Sequence, residues 1–152
     1  MTSVPRQPTT DNRPTLPIIG IDLGGRRIGI AVSDSGVMAT PHSVMRNEGD
    51  IVDKLTALGL QLGAGSYVVG IPRRTHASAS EQKYRDFAEA LRQKSCKPVL
   101  LWDESLSTVE AAERLRAAGK RRRQAQKDID MFAATVILQN YLDHHDSQRR
   151  SP

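Results

Sequence analysis

One aspartate of this 152-residue chain lies between an apolar strand and a glycine turn, where a metal ion or a phosphate could bind. Asp22 follows the run 18–21, and the pairs Gly24-Gly25 and Arg26-Arg27 come directly after it. Val, Ile and Leu on both sides predict two strands of a hairpin, in which the glycines supply the positive φ of a tight turn. Because many turn aspartates only stabilise a turn, this residue needs other acidic partners to indicate chemistry.

A second acidic position follows the apolar residues 98–102, which predict a short buried strand. That strand leads into Asp103 and Glu104 at its carboxyl end, where open α/β sheets hold their ligands. Side chains alternate along a strand, so the two carboxylates should face opposite ways. We interpret Glu104 as the catalytic candidate and Asp103 as the weaker one.

A third acidic position, Asp130, precedes the helical run 131–138. Its i+4, i+7 and i+8 neighbours are Ala134, Ile137 and Leu138, so Asp130 should share the helix face that packs on the sheet. Asp128, about 200° away around the same helix, should point to solvent. A plain alternative is that Asp130 only stabilises the helix dipole at the first turn.

Four blocks of residues, in this order along the chain, resemble the YqgF/RuvX family. They are Gly20-x-Asp22-x-Gly24-x-Arg26-Arg27-Ile28-Gly29-x-Ala31-x-Ser33-Asp34, Val69-Gly70-Ile71-Pro72, Trp102-Asp103-Glu104-x-Leu106-Ser107-Thr108 and Asp130-x-x-Ala133-Ala134-x-x-Ile137-Leu138-Gln139. The resemblance covers residues 18–142, and the four blocks together are far more specific than any one of them.

The resemblance implies a ribonuclease H-like fold and a metal-dependent phosphodiesterase whose catalytic and metal-binding residues are Asp22, Glu104 and Asp130. The family is provisionally assigned as a nuclease of the 5′ end of pre-16S rRNA, and resolution of Holliday junctions has also been proposed for it. The sequence departs from the family pattern at residues 73–78, where only the serine of the usual motif remains, and at Ser105, where an arginine is common.

Three clustered carboxylates need a cation to be stable. Two like charges about 4 Å apart repel by about 4 kcal/mol at an effective dielectric of 20. Oxygen-only ligands select Mg²⁺ or Mn²⁺, and no Cys or His set has zinc-ligand spacing. A two-ion site would activate water and stabilise the leaving oxygen, which is phosphodiester hydrolysis without a covalent intermediate.

The positive charge of the chain is concentrated in one segment. Residues 114–127 carry seven cationic side chains and no acidic one, and subtracting these from the net charge of +5 leaves −2 for all other residues. A basic surface near an acidic site is expected of a nuclease, although such a segment can also be a solvated loop. The predicted nucleic-acid contacts are Arg26, Arg27, Arg73, Arg74, Lys120, Arg121, Arg122, Arg123 and Lys127.

The pattern of elements predicts an α/β domain with a mixed five-stranded sheet, three antiparallel strands and flanking helices. Strands are expected near 17–23, 27–34, 38–45, 67–71 and 98–102. Helices are expected near 48–62, capped by Asn47, from the Ser78–Glu81 capping-box pair, from the Ser107–Glu110 pair to Gly119, and after Asp130. We expect the nuclease domain to span 17–146 between disordered tails at 1–16 and 147–152.

Composition narrows the location and the partners. No stretch approaches the ~18 apolar residues of a membrane span, and the amino terminus lacks signal-peptide order, so we expect a cytoplasmic protein. The single cysteine, Cys96, cannot form an intramolecular disulfide and is interpreted as structural. The expected partners are pre-rRNA or branched DNA and ribosomal precursor particles, bound by a monomer or a homodimer.

Two other functions compete with the nuclease. The segment 20–25 also looks like the phosphate-binding opening of actin-like kinases, but those need two such domains around a cleft. A noncatalytic ribosome-assembly factor would use the basic segment to bind rRNA and would gain nothing from three carboxylates. Trp102 is interpreted as a core residue, because few other aromatic side chains accompany it.

Overall fold

The computed structural model of the chain describes residues 15–72, 78–104 and 131–144. Several features predicted from the sequence lie outside the described residues. They are the disordered tails (apart from residues 15 and 16), the helix from Ser107, the basic segment 114–127, Asp128 and Asp130. The loop 73–77, with Arg73 and Arg74, lies outside them as well.

A mixed sheet of five strands forms the centre of the described structure. Its strands are β1 (Ile18–Leu23), β2 (Arg27–Ser33), β3 (Thr40–Arg46), β4 (Ser66–Pro72) and β5 (Val99–Glu104). They lie in the order β3-β2-β1-β4-β5. The first three pair antiparallel, while β4 is parallel to β1 and β5 is parallel to β4. This arrangement confirms the fold class predicted from the sequence.

Three helices flank the sheet in the described ranges: α1 (Ile51–Leu62), α2 (Ser78–Ser95) and a helix over residues 131–144, here called helix 131–144. The prediction that Asn47 caps α1 was wrong. The cap is Asp50, whose side chain accepts a hydrogen bond from the backbone N of Asp53 at 3.1 Å. Asn47 lies too far before Ile51 to cap α1 and contacts the β1–β2 turn instead.

The alternation of β1 divides the core between two faces of the sheet. Odd-numbered residues such as Ile19 and Ile21 pack with buried residues of α1 and α2, including Leu55 and Leu91. Even-numbered residues face the other way, where Ile18 packs with the buried residues of helix 131–144. That helix buries Ala133, Ala134, Ile137, Leu138, Tyr141 and Leu142. Asp22 belongs to the even-numbered set and therefore to the second face.

Candidate active site

Asp22 lies near the carboxyl end of the central strand and is half-buried. Its cross-strand neighbours are glycines on both sides, Gly29 of β2 and Gly70 of β4. Residues that pair across strands direct their side chains to the same face, so neither strand next to β1 places a side chain directly beside Asp22. The sequence prediction of an aspartate at the mouth of an apolar strand agrees with this placement.

Glu104 is the last residue of β5, and its backbone pairs with Pro72 of β4. The strand runs without interruption through Trp102 and Asp103, and Trp102 pairs with Gly70 in the same row as Asp22. By alternation, position 104 belongs to the set of Trp102 and Asp22. Asp103 pairs with Ile71, belongs to the opposite set and is exposed.

Helix 131–144 lies very close to the strands on the face of Asp22, because glycines leave room for it. A Cβ atom added to Gly70 would come within 2.6 Å of Cδ1 of Ile137, and one added to Gly20 within 2.8 Å of Cβ of Leu138. The predicted sheet-facing positions Ala134, Ile137 and Leu138 are fully buried. Asp130 immediately precedes this helix but lies outside the described residues.

The side chain of Gln139 fixes helix 131–144 to the loop between β2 and β3. Its Oε1 accepts a hydrogen bond from the backbone N of Ala39 at 2.8 Å, and its Nε2 donates to the carbonyl O of Val37 at 2.9 Å. Nε2 also donates to Oδ1 of Asp143, one turn later, at 2.9 Å. The amide therefore sets where this helix sits along the sheet. Sequence reasoning found no role for it beyond the family pattern.

A backbone hydrogen bond closes the β1–β2 turn after Asp22. The backbone N of Gly24 donates to the carbonyl O of Arg27 at 3.0 Å, and a Cβ at Gly24 would collide with that same oxygen. The prediction that Gly24 and Gly25 supply positive φ was wrong. Among the described residues, the glycines with positive φ are Gly36, Gly49 and Gly63.

Two hydrogen bonds donated by Asn47 stabilise this turn. Its Nδ2 donates to the carbonyl O of Gly24 and its backbone N donates to the carbonyl O of Arg26, both at 2.8 Å. The turn displays Arg26 in solvent, and Arg27 begins β2 in a half-buried position. Both predicted arginines thus lie close to Asp22 in the chain and in the fold, on a turn with a fixed conformation.

Trp102 packs on the edge of the second core, as predicted for a core residue. Its ring contacts Tyr141 edge-on at a centroid distance of 5.4 Å and His144 at 5.1 Å. Burial raises the pKa of Tyr141 to about 12, because the phenolate would lose its hydration in this apolar setting. The contacts place the end of helix 131–144 over β5.

Within the described residues, no group of three or more His, Cys, Asp or Glu side chains could hold a metal ion. The set predicted from sequence includes Asp130, so the described part of the chain holds Asp22 and the backbone of Glu104 from that set. The two other predicted cationic groups, at 73–74 and 120–127, also lie outside it. In the described structure Asp22 lies near the carboxyl end of β1 and Glu104 ends β5, with β4 between the two strands.

A five-stranded mixed sheet of this order, with helices on both faces, defines a ribonuclease H-like protein. Solved structures agree at the level of the fold. RuvC of Thermus thermophilus is 13% identical with a TM-score of 0.53, covering 87% of this chain and 97% of that one. The fowlpox virus resolvase, solved with Holliday junction DNA, is 9% identical with a TM-score of 0.53, covering 85% and 98%.

The sequence places the chain more narrowly. Residues 17–144 match the RuvX family, described as Holliday junction resolvase, and the chain belongs to that family. A relative from Desulforudis audaxviator (strain MP104C) is 36% identical over 88% of this chain and 99% of its own length. One from Mycolicibacterium paratuberculosis (strain ATCC BAA-968 / K-10) is 44% identical over 88% and 81%. Both carry the provisional name pre-16S rRNA nuclease.

Family membership makes the chain a nuclease, that is, a hydrolase of phosphodiester bonds, with nucleic acid as its substrate. The family resemblance read from four sequence blocks is confirmed. In the described ranges, no helix is both long and apolar enough to cross a membrane.

Proposed function

We propose that this chain is a metal-dependent endonuclease in which Asp22, Glu104 and Asp130 are the catalytic residues and hold two Mg²⁺ or Mn²⁺ ions. The observation that carries the proposal is the row of Asp22: a half-buried carboxylate between two glycines, on the face where β5 ends at Glu104. Half-burial strengthens the attraction of this carboxylate for a cation, since less water screens its charge.

The donor chemistry of these residues suits hard divalent ions, because carboxylate oxygens are the ligands that Mg²⁺ and Mn²⁺ prefer. When bound, the ions would activate water and stabilise the charge of the leaving oxygen. The residues themselves have a positioning task. The sheet fixes the backbones of Asp22 and Glu104, while the contacts of Ile137, Leu138 and Gln139 fix the helix that follows Asp130.

The cationic side chains would bind the phosphates that flank the scissile bond. Arg26 and Arg27 are carried on the braced turn beside Asp22, and the remaining predicted contacts are Arg73, Arg74, Lys120, Arg121, Arg122, Arg123 and Lys127. Such contacts position the backbone of a nucleic acid and do not take part in the chemistry. Changing Arg121, Arg122 and Arg123 together should therefore weaken binding more than cleavage at saturating substrate.

For the substrate, we favour the 5′ end of pre-16S rRNA, processed in the cytoplasm on ribosomal precursor particles. The names of the two relatives support this choice, because both align along most of the chain. Resolution of Holliday junctions is the second candidate, and the family description supports it. A noncatalytic rRNA-binding factor would require none of the three carboxylates.

Titration of Mg²⁺ and Mn²⁺ against cleavage of two labelled substrates tests the proposal. One substrate is a pre-16S rRNA fragment spanning the mature 5′ end, and the other is a four-way DNA junction. The proposal predicts metal-dependent cleavage of the rRNA fragment and weaker cleavage of the junction. Preferential cleavage of the junction would make the four-way DNA junction the favoured substrate. Binding of either substrate without cleavage at any metal concentration would favour the noncatalytic assembly factor.

A further inference from the structure

An arginine that sequence reasoning did not select lies on the same face of the sheet as Asp22. Arg46 is the last residue of β3 and pairs directly with Arg27 of β2. Arg27 lies two positions from Gly29, the partner of Asp22, and residues two apart on a strand share a face. The register therefore places Asp22, Arg27 and Arg46 on one face.

The pairing of Arg27 with Arg46 brings two positive charges opposite each other. Like charges at directly opposed positions of antiparallel strands destabilise the pair. An anion that accepts hydrogen bonds from both guanidinium groups would be favoured at such a pair, as phosphate oxygens commonly are with arginine. The register itself is thus suited to a phosphate group.

The side chain of Arg46 extends into solvent. It is 81% exposed and pairs with Glu48, which is 68% exposed, with 3.8 Å between Nη1 and Oε1. An exposed ion pair at this distance contributes little to stability. Glu48 therefore competes only weakly with an incoming phosphate.

The backbone around Arg46 is held firmly although the side chain is not. The next residue, Asn47, bonds to Gly24 and Arg26 of the β1–β2 turn, and Nζ of Lys54 in α1 donates to the carbonyl O of Glu48 at 2.9 Å. A cation carried on a fixed backbone loses less conformational freedom when it binds.

We propose that Arg46 binds a phosphate group of the nucleic acid and that, with Arg27, it forms a two-arginine phosphate site on the face of Asp22. The identity of the ligand as nucleic acid rests on the proposed function. Two strand spacings separate β3 from β1, about 10 Å, so the phosphate held by Arg46 is a neighbour of the one at Asp22. Arg46 consequently contributes to binding.

Three single substitutions test this site, each made in an Asp22→Asn background so that the nucleic acid is not cleaved. Arg46→Gln removes the proposed contact, and Glu48→Gln removes its acidic competitor. Arg85→Gln is the matched control: it is also an exposed arginine with an acidic partner, Glu81, but it lies on α2, against the opposite face of the sheet. Binding is measured by mobility shift across a salt series, with the pre-16S rRNA fragment and the four-way DNA junction.

Arg46→Gln should weaken binding about tenfold, as expected for a lost hydrogen bond between charged groups. It should also lower the salt slope on the DNA junction by about 0.9, the value of one released counterion contact. Glu48→Gln should tighten binding a few-fold, and Arg85→Gln should leave it unchanged. The opposite signs exclude a purely structural Arg46–Glu48 ion pair, which would make both substitutions act in the same direction, and an unchanged Arg85→Gln excludes an effect of total charge.

Equal losses for Arg46→Gln and Arg85→Gln would overturn the proposal, since only total charge would then matter. Equal losses for Arg46→Gln and Glu48→Gln would also overturn it. Binding is read without cleavage, so an inactive parent protein that binds through Arg46 would contradict the nuclease mechanism and leave this site standing. An active parent protein whose binding is unchanged by Arg46→Gln would support the nuclease mechanism and overturn this phosphate site.

Discussion

The two faces of the sheet are built from different kinds of residue. Toward α1 and α2 the strands present large aliphatic side chains and Tyr67, packed on Leu55 and Leu91. Toward helix 131–144 the central strands present Gly20, Asp22 and Gly70, and the helix packs there with alanines, three aliphatic residues and Tyr141. The first face supplies buried apolar area. The second face has glycines at positions 20 and 70, which allow helix 131–144 to pack closely on the strands beside Asp22.

This difference explains why Asp22 lies on the face toward helix 131–144. No strand side chain lies directly beside Asp22, because its register partners are Gly29 and Gly70, and Ile137 of helix 131–144 packs against Gly70. The face toward α1 and α2 has no comparable row, because its strand positions carry buried Ile, Leu and Val. Substitutions on the face toward α1 and α2 should consequently lower stability alone, whereas substitutions on the face of Asp22 should also lower cleavage.

The largest effect on stability is expected on the face toward α1 and α2. Leu55 is fully buried, and Leu55→Ala should lower the free energy of unfolding by about 2–5 kcal/mol, through lost transfer energy and the cavity left behind. Urea unfolding measures this loss. Cleavage by the folded fraction, measured well below the melting temperature, should stay within about twofold, because nothing near Asp22 changes. A loss of cleavage by the folded protein would contradict the expectation that this face contributes to stability and not to activity.

A smaller loss of stability, this time with a loss of activity, is expected from Gly70→Ala. The new methyl group would overlap Ile137, which is fully buried and cannot move aside, at a cost of about 1–3 kcal/mol. The displaced helix should also carry its preceding residue, Asp130, away from the site and lower cleavage.

Two further variants sharpen that result. Ile137→Val removes the overlapping Cδ1 atom and should restore part of both losses when combined with Gly70→Ala. Gly25→Ala is the control, because a Cβ there would meet nothing within 4 Å. If Gly25→Ala is as damaging as Gly70→Ala, the close approach of the helix is not the cause.

The smallest effect concerns pH. Burial raises the pKa of Tyr141 to about 12, while an unfolded tyrosine ionises near 10. Below pH 10 both states are protonated and the residue leaves stability independent of pH. As pH rises from about 10 to 12, only the unfolded state loses its proton, so stability falls, by about 1 kcal/mol after allowance for solvent screening.

Denaturant unfolding of the parent protein and Tyr141→Phe between pH 9 and about 12 would show this. The two proteins should differ by a constant amount below pH 10 and converge above it. Tyr67, buried on the other face with its own pKa raised by burial, gives the comparison through Tyr67→Phe. A constant difference across the whole range would mean that Tyr141 ionises normally in the folded protein.

Local patterns predicted much of this fold because their causes are local. Runs of apolar residues bounded by turn residues predicted the five strands to within about two residues, and the buried positions of helix 131–144 follow from its 3.6-residue period. The position of Asp22 at the end of β1 also follows from the strand pattern. These features depend on neighbours within a few positions of each other.

The features that sequence reasoning missed depend on distant partners. Gln139 bonds to residues 100 and 102 positions earlier, and Asn47 bonds to Gly24. Nothing near Asn47 in sequence reveals that its side chain is needed at the turn, so helix capping was the natural prediction. The pairing of Arg46 with Arg27 likewise exists only in the register of β2 and β3.

The most direct test of the account compares two conservative changes, Asp22→Asn and Asp103→Asn, on opposite faces of the sheet. Both remove one carboxylate and preserve its shape, and circular dichroism with thermal melting checks that both variants fold. We expect Asp22→Asn to lower metal-dependent cleavage at least ~10²-fold, while Asp103→Asn, exposed on the other face, cleaves nearly as fast as the parent protein. Parent-like cleavage by Asp22→Asn would contradict the central claim.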